Sequence, residues 1–217
     1  MSREQVDVVP AAEIGRRVEA AGLRLPAPAV ESLARFVALL IRWNRVYNLT
    51  GPIRDLGELV DRHLVESLAL RPLLRGGHVA DVGSGAGLPG MPLAITEPAR
   101  SFTLIESRAK RVRFLRHVVT ELGLRNTEVA HGRAELLRPD RPFDTVLARA
   151  VAPPAELLTI CRPLTAPGSV LVLLTAAHLR ETFRGLAPDF VLKDDARSAG
   201  PELALRSSIV LLERISA

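Results

Sequence analysis

The chain has 217 residues, 47% of them apolar, so it is long enough for one sizeable domain with a well-packed core. Its single cysteine, Cys161, excludes an internal disulfide framework and any multi-cysteine metal site, and we expect it to be a small buried hydrophobe. A formal net charge of +5, carried by arginines apart from Lys110 and Lys193, permits an anionic partner such as nucleic acid.

The first 75 residues carry helical patterns, and we interpret residues 1–75 as an N-terminal helical segment packed on the core. Residues 11–22 end on Gly22, which is typical of a helix stop. Residues 28–48 and 56–74 repeat apolar side chains at spacings of three and four, as amphipathic helices do. No apolar run reaches the ~20 residues that a membrane span needs. The N-terminal stretch resembles no signal peptide, so we expect a cytoplasmic protein without membrane contact.

After residue 75 short apolar runs alternate with amphipathic ones, which defines a second unit over residues 76–217. The predicted strands are 78–82, 101–106, 127–131, 144–149, 169–175, 190–194 and 207–213. The predicted helices follow the first five strands, at 89–96, 108–122, 132–137, 153–162 and 176–186. This alternation predicts an α/β fold with a parallel sheet covered on both faces. The last two strands are joined too closely for a crossover, so we expect an antiparallel hairpin that brings the sheet to seven strands.

A glycine-rich loop follows the first predicted strand, in "VADVGSGAGLPGMPLAI" (79–95). Loops of this kind let a nucleotide approach the backbone and the free amides of a helix N-terminus. The loop fits two patterns. The dinucleotide-binding pattern G-x-G-x-x-G uses Gly85, Gly87 and Gly90, with Glu106 about 20 residues on. The pattern D-x-G-x-G-x-G resembles the first motif of the S-adenosylmethionine-dependent methyltransferases and uses Asp81, Gly83, Gly85 and Gly87.

Asp81 favours the methyltransferase pattern, because there it balances the cationic methionine end of S-adenosylmethionine. The dinucleotide pattern leaves this aspartate without a role before the strand ends. A dehydrogenase also needs a substrate domain, for which the chain leaves little room. Glu106 ends the second predicted strand, where a carboxylate can accept hydrogen bonds from both ribose hydroxyls of either cofactor.

Several further stretches resemble one family, the bacterial small-subunit ribosomal RNA guanine methyltransferases, also called glucose-inhibited division protein B. The matching pieces keep their order and are "NLT" (48–50), "RHLVESL" (62–68), the glycine loop, "KRVRFL" (110–115), "GRAEL" (132–136) and "ARAVAP" (148–153). The resemblance implies a Rossmann-like, seven-stranded class I methyltransferase sheet with an N-terminal helical segment. It also implies methylation of the seven-position nitrogen of one guanine in 16S ribosomal RNA, with the RNA or the small ribosomal subunit as partner. We expect the enzyme to be a monomer.

The resemblance also implies which residues bind S-adenosylmethionine. The family's contacts map onto Gly83, Leu88, Ala134, Glu135 and Arg149, and the glycine pattern adds Asp81, Gly85 and Glu106. The chain departs from the family at Leu174-Thr175, where lysine and glycine are usual, which puts a possible substrate contact in doubt. Resemblance in the last sixty residues is diffuse, with Arg206 as a possible match.

Arg149 is the candidate catalytic residue, since it ends a predicted strand where sheets of this class place ligands. No other catalytic group stands out. A guanine seven-position nitrogen has a free lone pair and no hydrogen, so its methylation needs no general base, and positioning can supply most of the catalysis.

The candidate RNA contacts lie on two helices. Lys110, Arg113 and Arg116 share the face of helix 108–122 opposite its apolar side, as an RNA-facing stripe or an ordinary solvated face. His63 is a structural residue or a cleft residue, and five scattered histidines form no metal constellation. Trp43 and Tyr47 share a helix face and either anchor the core or stack a flipped base.

Two other functions fit the same residues. One is a methyltransferase with the same cofactor domain that acts on a small molecule or a protein. The other is a degenerate fold that binds RNA without catalysis, which the Leu174-Thr175 departure keeps open.

Overall fold

A computed structural model describes residues 9–53, 55–149, 151–193 and 207–216. Within these residues the sheet has the seven strands that the sequence predicts, and their order is β3-β2-β1-β4-β5-β7-β6. The strands are β1 (His78–Val82), β2 (Ser101–Glu106), β3 (Thr127–His131), β4 (Thr145–Arg149), β5 (Val170–Thr175), β6 (Phe190–Lys193) and β7 (Ser208–Arg214).

The first five strands run parallel, and β7 lies antiparallel between β5 and β6. The order reverses at β1, which has β2 on one side and β4 on the other. Val82 at the end of β1 pairs with Ile105 of β2 and with Ala148 of β4. Side chains and loops at the carboxyl ends of these three strands therefore meet at the switch point, where open α/β sheets bind ligands.

The helices are α1 (Ala11–Ala20), α2 (Ala27–Tyr47), α3 (Leu56–Leu59), α4 (Glu66–Leu68), α5 (Gly90–Thr96), α6 (Ala109–Leu122) and α7 (Pro154–Cys161). A π-helical turn (Val60–Val65) joins α3 to α4. Pro28 lies in the first turn of α2, where a missing N–H costs nothing, and Gly123 ends α6 at a φ of 63°. Within the described part of the chain, no helix is long and apolar enough to cross a membrane.

One apolar core joins the N-terminal helices to the sheet. Ile14 of α1 and Phe36 and Leu40 of α2 belong to the same buried cluster as Met91 of α5 and Phe114 of α6. Burying these side chains stabilises the fold by about 1.5–3 kcal/mol each. The division of the chain near residue 75 stays a prediction. The shared core explains how the N-terminal helices, which have no sheet of their own, stay packed against the rest of the chain.

Three predicted helices are shorter or broken. The stretch 176–186 forms two short 3₁₀ turns, because Phe183 is its only described large apolar side chain that is fully buried and no stripe supports a long helix. The stretch 132–137 forms one 3₁₀ turn, Ala134–Leu136, with Leu136 70% exposed. The stretch 56–74 changes to π-helical geometry at Val60 and ends in a 3₁₀ turn around Pro72.

Candidate active site

The glycine loop turns sharply away from β1 because three glycines adopt left-handed backbone. Gly83, Gly85 and Gly87 have φ values of 66°, 57° and 82°, which residues with a Cβ rarely adopt. The N–H groups of Gly83 and Ser84 donate to the carbonyl of Ile105 on β2, at 2.9 and 3.1 Å. These bonds tie the loop to the second strand and leave its other face toward an open cleft.

Asp81 lies beneath the loop. Its carboxylate is buried, and one oxygen accepts the N–H of Gly90 at 3.0 Å at the start of α5. A Cβ on Gly90 would approach that oxygen to 2.6 Å, so this glycine lets the helix close on the strand. Burial raises the pKa of Asp81 to about 7, against the opposing hydrogen bond from Gly90. In the described structure the other carboxylate oxygen has no hydrogen-bond partner.

Glu106 reaches the loop from the end of β2. Its carboxylate is 4% exposed and accepts the N–H of Gly85 at 3.0 Å and that of Arg108 at 2.8 Å. Arg111, on the first turn of α6, places a guanidinium nitrogen 3.6 Å from the same carboxylate. Glu106 thus fixes the loop and faces the cleft from the position predicted for a ribose contact.

The cleft has a volume of about 500 Å³ and collects most of the predicted site residues. Gly83, Gly85, Leu88, Glu106, Arg149 and His63 all line it. Asp81, Ala134 and Glu135 are not among the described residues that line it. Ala134 is buried in an apolar cluster with side chains of β1, β4 and β5, and Glu135 pairs with Arg133 at 3.1 Å. Contact of these three residues with a cofactor stays a prediction.

Arg149 is held in the cleft wall by a glutamate that is distant in sequence. Its Nη2 donates to Glu66 at 3.2 Å and lies 3.4 Å from the carbonyl of Arg62. Glu66 is 1% exposed and also accepts the N–H and the hydroxyl of Ser207. Desolvation lowers the pKa of Arg149, while Glu66 opposes the shift. Among the described residues, Arg149 Nη1 is buried with no partner, so a donor is left for a ligand.

His63 lies on the π-helical turn and lines the cleft beside Arg149. π-Helical turns are rare and occur often at functional sites. Burial, together with the nearby positive charges of Arg149 and Arg62, lowers the pKa of His63 to about 4, so the ring is neutral at pH 7. Its Nδ1 is buried and, within the described chain, has no hydrogen-bond partner.

The predicted basic residues of α6 lie on the helix surface. Lys110, Arg113 and Arg116 are exposed, whereas the predicted apolar face is buried. Leu174 and Thr175, where the family usually has lysine and glycine, lie at the end of β5. Leu174 is 2% exposed in an apolar cluster, and Thr175 ends the strand half-buried. Cys161 is buried as predicted, and burial raises its pKa to about 12.

Several functional candidates escaped the sequence analysis. Arg111, Ser107 and Thr50 line the cleft, and Glu66 holds Arg149. Thr50, Glu66 and Arg111 stand inside the quoted "NLT", "RHLVESL" and "KRVRFL" stretches, and these stretches were the signal that could have found them. Arg111 could have been found from helical geometry, because it lies at the start of α6 beside the end of β2.

Solved structures of low sequence identity share this architecture. A methyltransferase from Geobacter sulfurreducens is 20% identical, with a TM-score of 0.61 and coverage of 96% of this chain and 98% of that one. An O-methyltransferase from Streptomyces achromogenes, solved with S-adenosylmethionine, is 15% identical over both entire chains with a TM-score of 0.57. The fold, with its glycine loop at the switch point, is that of the class I methyltransferases.

Sequence comparison defines the family more narrowly. The model of the rRNA small subunit methyltransferase G family matches residues 29–202, so the chain belongs to that family. A ribosomal RNA small subunit methyltransferase G from Halorhodospira halophila is 50% identical over 165 residues, 76% of this chain and 78% of the relative. The one from Xanthomonas oryzae is 37% identical over 208 residues, 96% of each chain. These matches confirm the resemblance drawn from the motifs.

The cleft fits S-adenosylmethionine, the cofactor that this fold implies. Glu106, a carboxylate that suits ribose hydroxyls, ends β2, and Arg149, whose Nη1 is buried and has no described partner, ends β4 on the other side of β1. A planar guanidinium matches a carboxylate such as that of the methionine moiety. Between them the loop offers close backbone approach, because Gly85 has no side chain.

Proposed function

We propose that the chain transfers a methyl group from S-adenosylmethionine to the seven-position nitrogen of one guanine in 16S ribosomal RNA. The observation that carries the proposal is the convergence of the glycine loop, Glu106 and Arg149 on one cleft at the switch point. Membership of the rRNA small subunit methyltransferase G family supports ribosomal RNA as the substrate. The choice of guanine and of its seven-position nitrogen rests on the resemblance alone.

The residues of the cleft divide the binding work. Glu106 accepts hydrogen bonds from the ribose hydroxyls, and Arg149 binds the carboxylate of the methionine moiety with the donor that has no described protein partner. Gly83 and Gly85 let the loop backbone lie against the ligand. We place Ala134 and Glu135 beside the adenine, as the resemblance implies. When bound, the cofactor supplies an activated methyl group on a sulfonium.

The chain's contribution to the reaction is positioning. The target nitrogen attacks with its own lone pair, so no residue has to remove a proton. Holding two reactants in attacking geometry can supply roughly 7–11 kcal/mol of a barrier. His63, which is neutral at pH 7, lines the cleft together with Thr50, and there it excludes water and orients the guanine. We propose that the enzyme acts as a cytoplasmic monomer on the RNA or on the small subunit.

The decisive experiment maps modified guanines in small-subunit ribosomal RNA from cells with and without the gene. We expect one seven-methylguanine to disappear in the deletion strain and to return when the wild-type gene is supplied. A deletion strain with unchanged ribosomal RNA methylation would contradict the proposal. Methyl transfer by the purified protein to a small acceptor, with none to RNA, would favour the small-molecule alternative.

Calorimetry with the purified chain tests the cofactor separately. We expect S-adenosylmethionine to bind, its demethylated product to compete, and NAD not to bind. Tight NAD binding without S-adenosylmethionine binding would contradict the cofactor assignment. Cofactor binding with no methyl transfer to any RNA would favour the RNA-binding module.

A further inference from the structure

Two helices that pack against each other both deliver one end to the cleft. Leu49 and Thr50 follow the C-terminus of α2 and its cap residue, and they line the cleft. Ser107 and Arg108 directly precede α6 and line it too. The helices run antiparallel, since Arg35 near the start of α2 reaches the carbonyl of Glu121 at the end of α6. The surface between them therefore opens onto the cleft at one end.

The contacts place the end of α2 level with the first turns of α6. Trp43 packs against Phe114 and against His117, with ring centroids 5.5 Å apart in both cases. Tyr47 lies one helical turn further toward the cleft, with its ring 5.2 Å from that of Trp43. Because the helices are antiparallel, this turn of α2 lies beside the part of α6 that carries Lys110 and Arg113. We call Trp43, Tyr47, Lys110, Arg113 and His117 the α2–α6 face.

The two aromatic residues of this face differ in burial. Trp43 packs against the buried cluster that contains Phe36 and Phe114, so it is the core anchor that the sequence analysis gives as one alternative. Tyr47 is 39% exposed, and its neighbour Val46 is 73% exposed, so apolar surface is open at the end of α2. The Trp43 ring packs against the Tyr47 ring. This contact already restricts the Tyr47 side chain at the surface, so a ligand that stacks on it loses little further side-chain entropy.

Charge selects the partner. The cations of Lys110 and Arg113 are exposed beside Tyr47, and Arg108 and Arg111 continue the positive charge into the cleft. An aromatic ring bordered by lysine and arginine is the combination with which proteins hold unpaired RNA, because bases stack while phosphates meet cations. An apolar protein surface would leave these cations without counter-charges.

We propose that the α2–α6 face binds the RNA strand next to the target guanine, with one unpaired base stacked on Tyr47 and phosphates held by Lys110 and Arg113. The proposal rests on the proposed function and adds a specific binding surface to it. It gives the strand a path from the cleft, past Thr50 and Tyr47, onto α6.

The test compares Tyr47→Ala, Tyr47→Phe and Arg113→Gln for binding to small-subunit RNA over a range of salt concentrations. We expect Tyr47→Ala to weaken binding about 5- to 150-fold, the range for stacking one base, without changing the salt dependence. Tyr47→Phe keeps the ring and should bind as the wild type does. Arg113→Gln should lower the slope of log affinity against log salt by about 1, because one fewer phosphate is neutralised.

Leu186→Ala is the matched control for loss of apolar surface. Leu186 is 40% exposed, like Tyr47, but it precedes β6, which runs parallel to β1–β5, and so lies at the edge of the sheet opposite the cleft. It should leave RNA affinity unchanged. S-adenosylmethionine affinity of all variants should match the wild type. Thermal unfolding should also match, except for a small loss of stability in Tyr47→Ala, which removes the ring contact with Trp43.

Normal RNA affinity in Tyr47→Ala would overturn the proposal, and so would equal losses in Tyr47→Ala and Leu186→Ala. Neither result touches the proposed function as long as the wild type methylates the RNA. A wild type that binds the cofactor and methylates no RNA would instead reject the proposed function, and the α2–α6 face with it.

Discussion

Arg149 pairs with a buried glutamate and, in our proposal, also binds the cofactor. A substitution of Arg149 is therefore expected to affect stability as well as activity. If Arg149 contacted only a ligand, Arg149→Ala would lower activity far more than stability. In the structure Arg149 pairs with Glu66, which is 1% exposed. Removing one partner of a buried pair costs about 3–5 kcal/mol, because the other charge is left uncompensated. We therefore expect Arg149→Ala to lose stability as well as activity.

Arg149→Lys is the sharper variant. Lysine keeps the positive charge beside Glu66 and loses the planar fork that binds a carboxylate in two places. We expect nearly wild-type thermal stability and methyl transfer lowered by roughly 30- to 1,000-fold, the effect of losing a charge-assisted contact worth ~2–4 kcal/mol. Single-turnover kinetics on small-subunit RNA measures this loss. Full activity in Arg149→Lys would show that Arg149 acts as a bare charge.

Glu66 holds Arg149 in the cleft wall, so we expect it to act as a positioning residue. Glu66→Gln keeps an oxygen for the N–H of Ser207 and removes the charge that faces Arg149. We expect the Kd for S-adenosylmethionine to rise about tenfold, because a less constrained arginine loses one good hydrogen bond. Calorimetry measures the change.

Asp189→Asn is the control for Glu66→Gln, since it weakens another pair with a buried acid. Asp189 is 8% exposed and accepts two bonds from Arg162, at 2.8 and 2.9 Å, next to the start of β6 and away from the cleft. This variant should lose stability and keep its cofactor affinity. An equal loss of cofactor affinity in both variants would mean that Glu66 acts on the fold in general.

The elements around the site owe their geometry to small residues at their ends. Gly85 needs left-handed backbone, but a Cβ there would meet its nearest neighbours, Arg111 and the carbonyl oxygen of Gly83, only at 3.6 Å. The same addition at Gly83 would meet Val151 at 2.9 Å, so Gly83→Val would disturb the loop itself. Gly85 is therefore the position at which the role of the loop can be separated from its folding.

We expect Gly85→Ala to fold and to lose most of its affinity for S-adenosylmethionine. The methyl group occupies space at the cleft surface, and the left-handed backbone costs about 1–2 kcal/mol. Gly123→Ala is the control, since Gly123 has a φ of 63° with nothing near its Cβ and ends α6 away from the loop. Both variants should lose similar stability, and only Gly85→Ala should lose binding in calorimetry. Normal binding by Gly85→Ala would exclude the loop as the cofactor site.

Element prediction succeeded where the pattern is local. β1, β2 and β3 begin and end where the sequence analysis places them, because each is a short run containing β-branched side chains between turn residues or helical stretches. Helices 132–137 and 176–186 failed, because a helix is stable only when tertiary packing covers one face of it, and there the core receives a single large side chain or none.

For the whole molecule, two buried titratable groups make stability depend on pH in opposite directions. Burial raises the pKa of Asp81 from 3.8 to about 7 in the fold, so its contribution is greatest below pH 4 and is lost as pH rises through 7. Burial lowers the pKa of His63 from 6.5 to about 4, so its contribution is present above pH 6.5 and is lost as pH falls through 4. The two effects overlap between pH 4 and 7 and mask each other in the wild type.

Single variants separate the two effects in urea unfolding at a series of pH values. The free energy of unfolding of the wild type, minus that of Asp81→Asn, should fall as pH rises from 4 to 7. The same difference against His63→Gln should rise as pH increases from 4 to 6.5. A difference that is flat across this range for either variant would contradict the corresponding shift.

The sequence by itself determined the class of fold, the strand count, the glycine loop and the family, because these depend on local periodicity and on short motifs. It also named six residues that the structure brings to one cleft, since parallel strands end at a common edge. Only the tertiary structure decided which other side chains and backbone groups of the protein contact those six residues. Glu66 lies 83 positions from Arg149, and local pattern carries no information about such a pair. Burial, which shifts the pKa values of Asp81 and His63, likewise arises only when distant elements pack together.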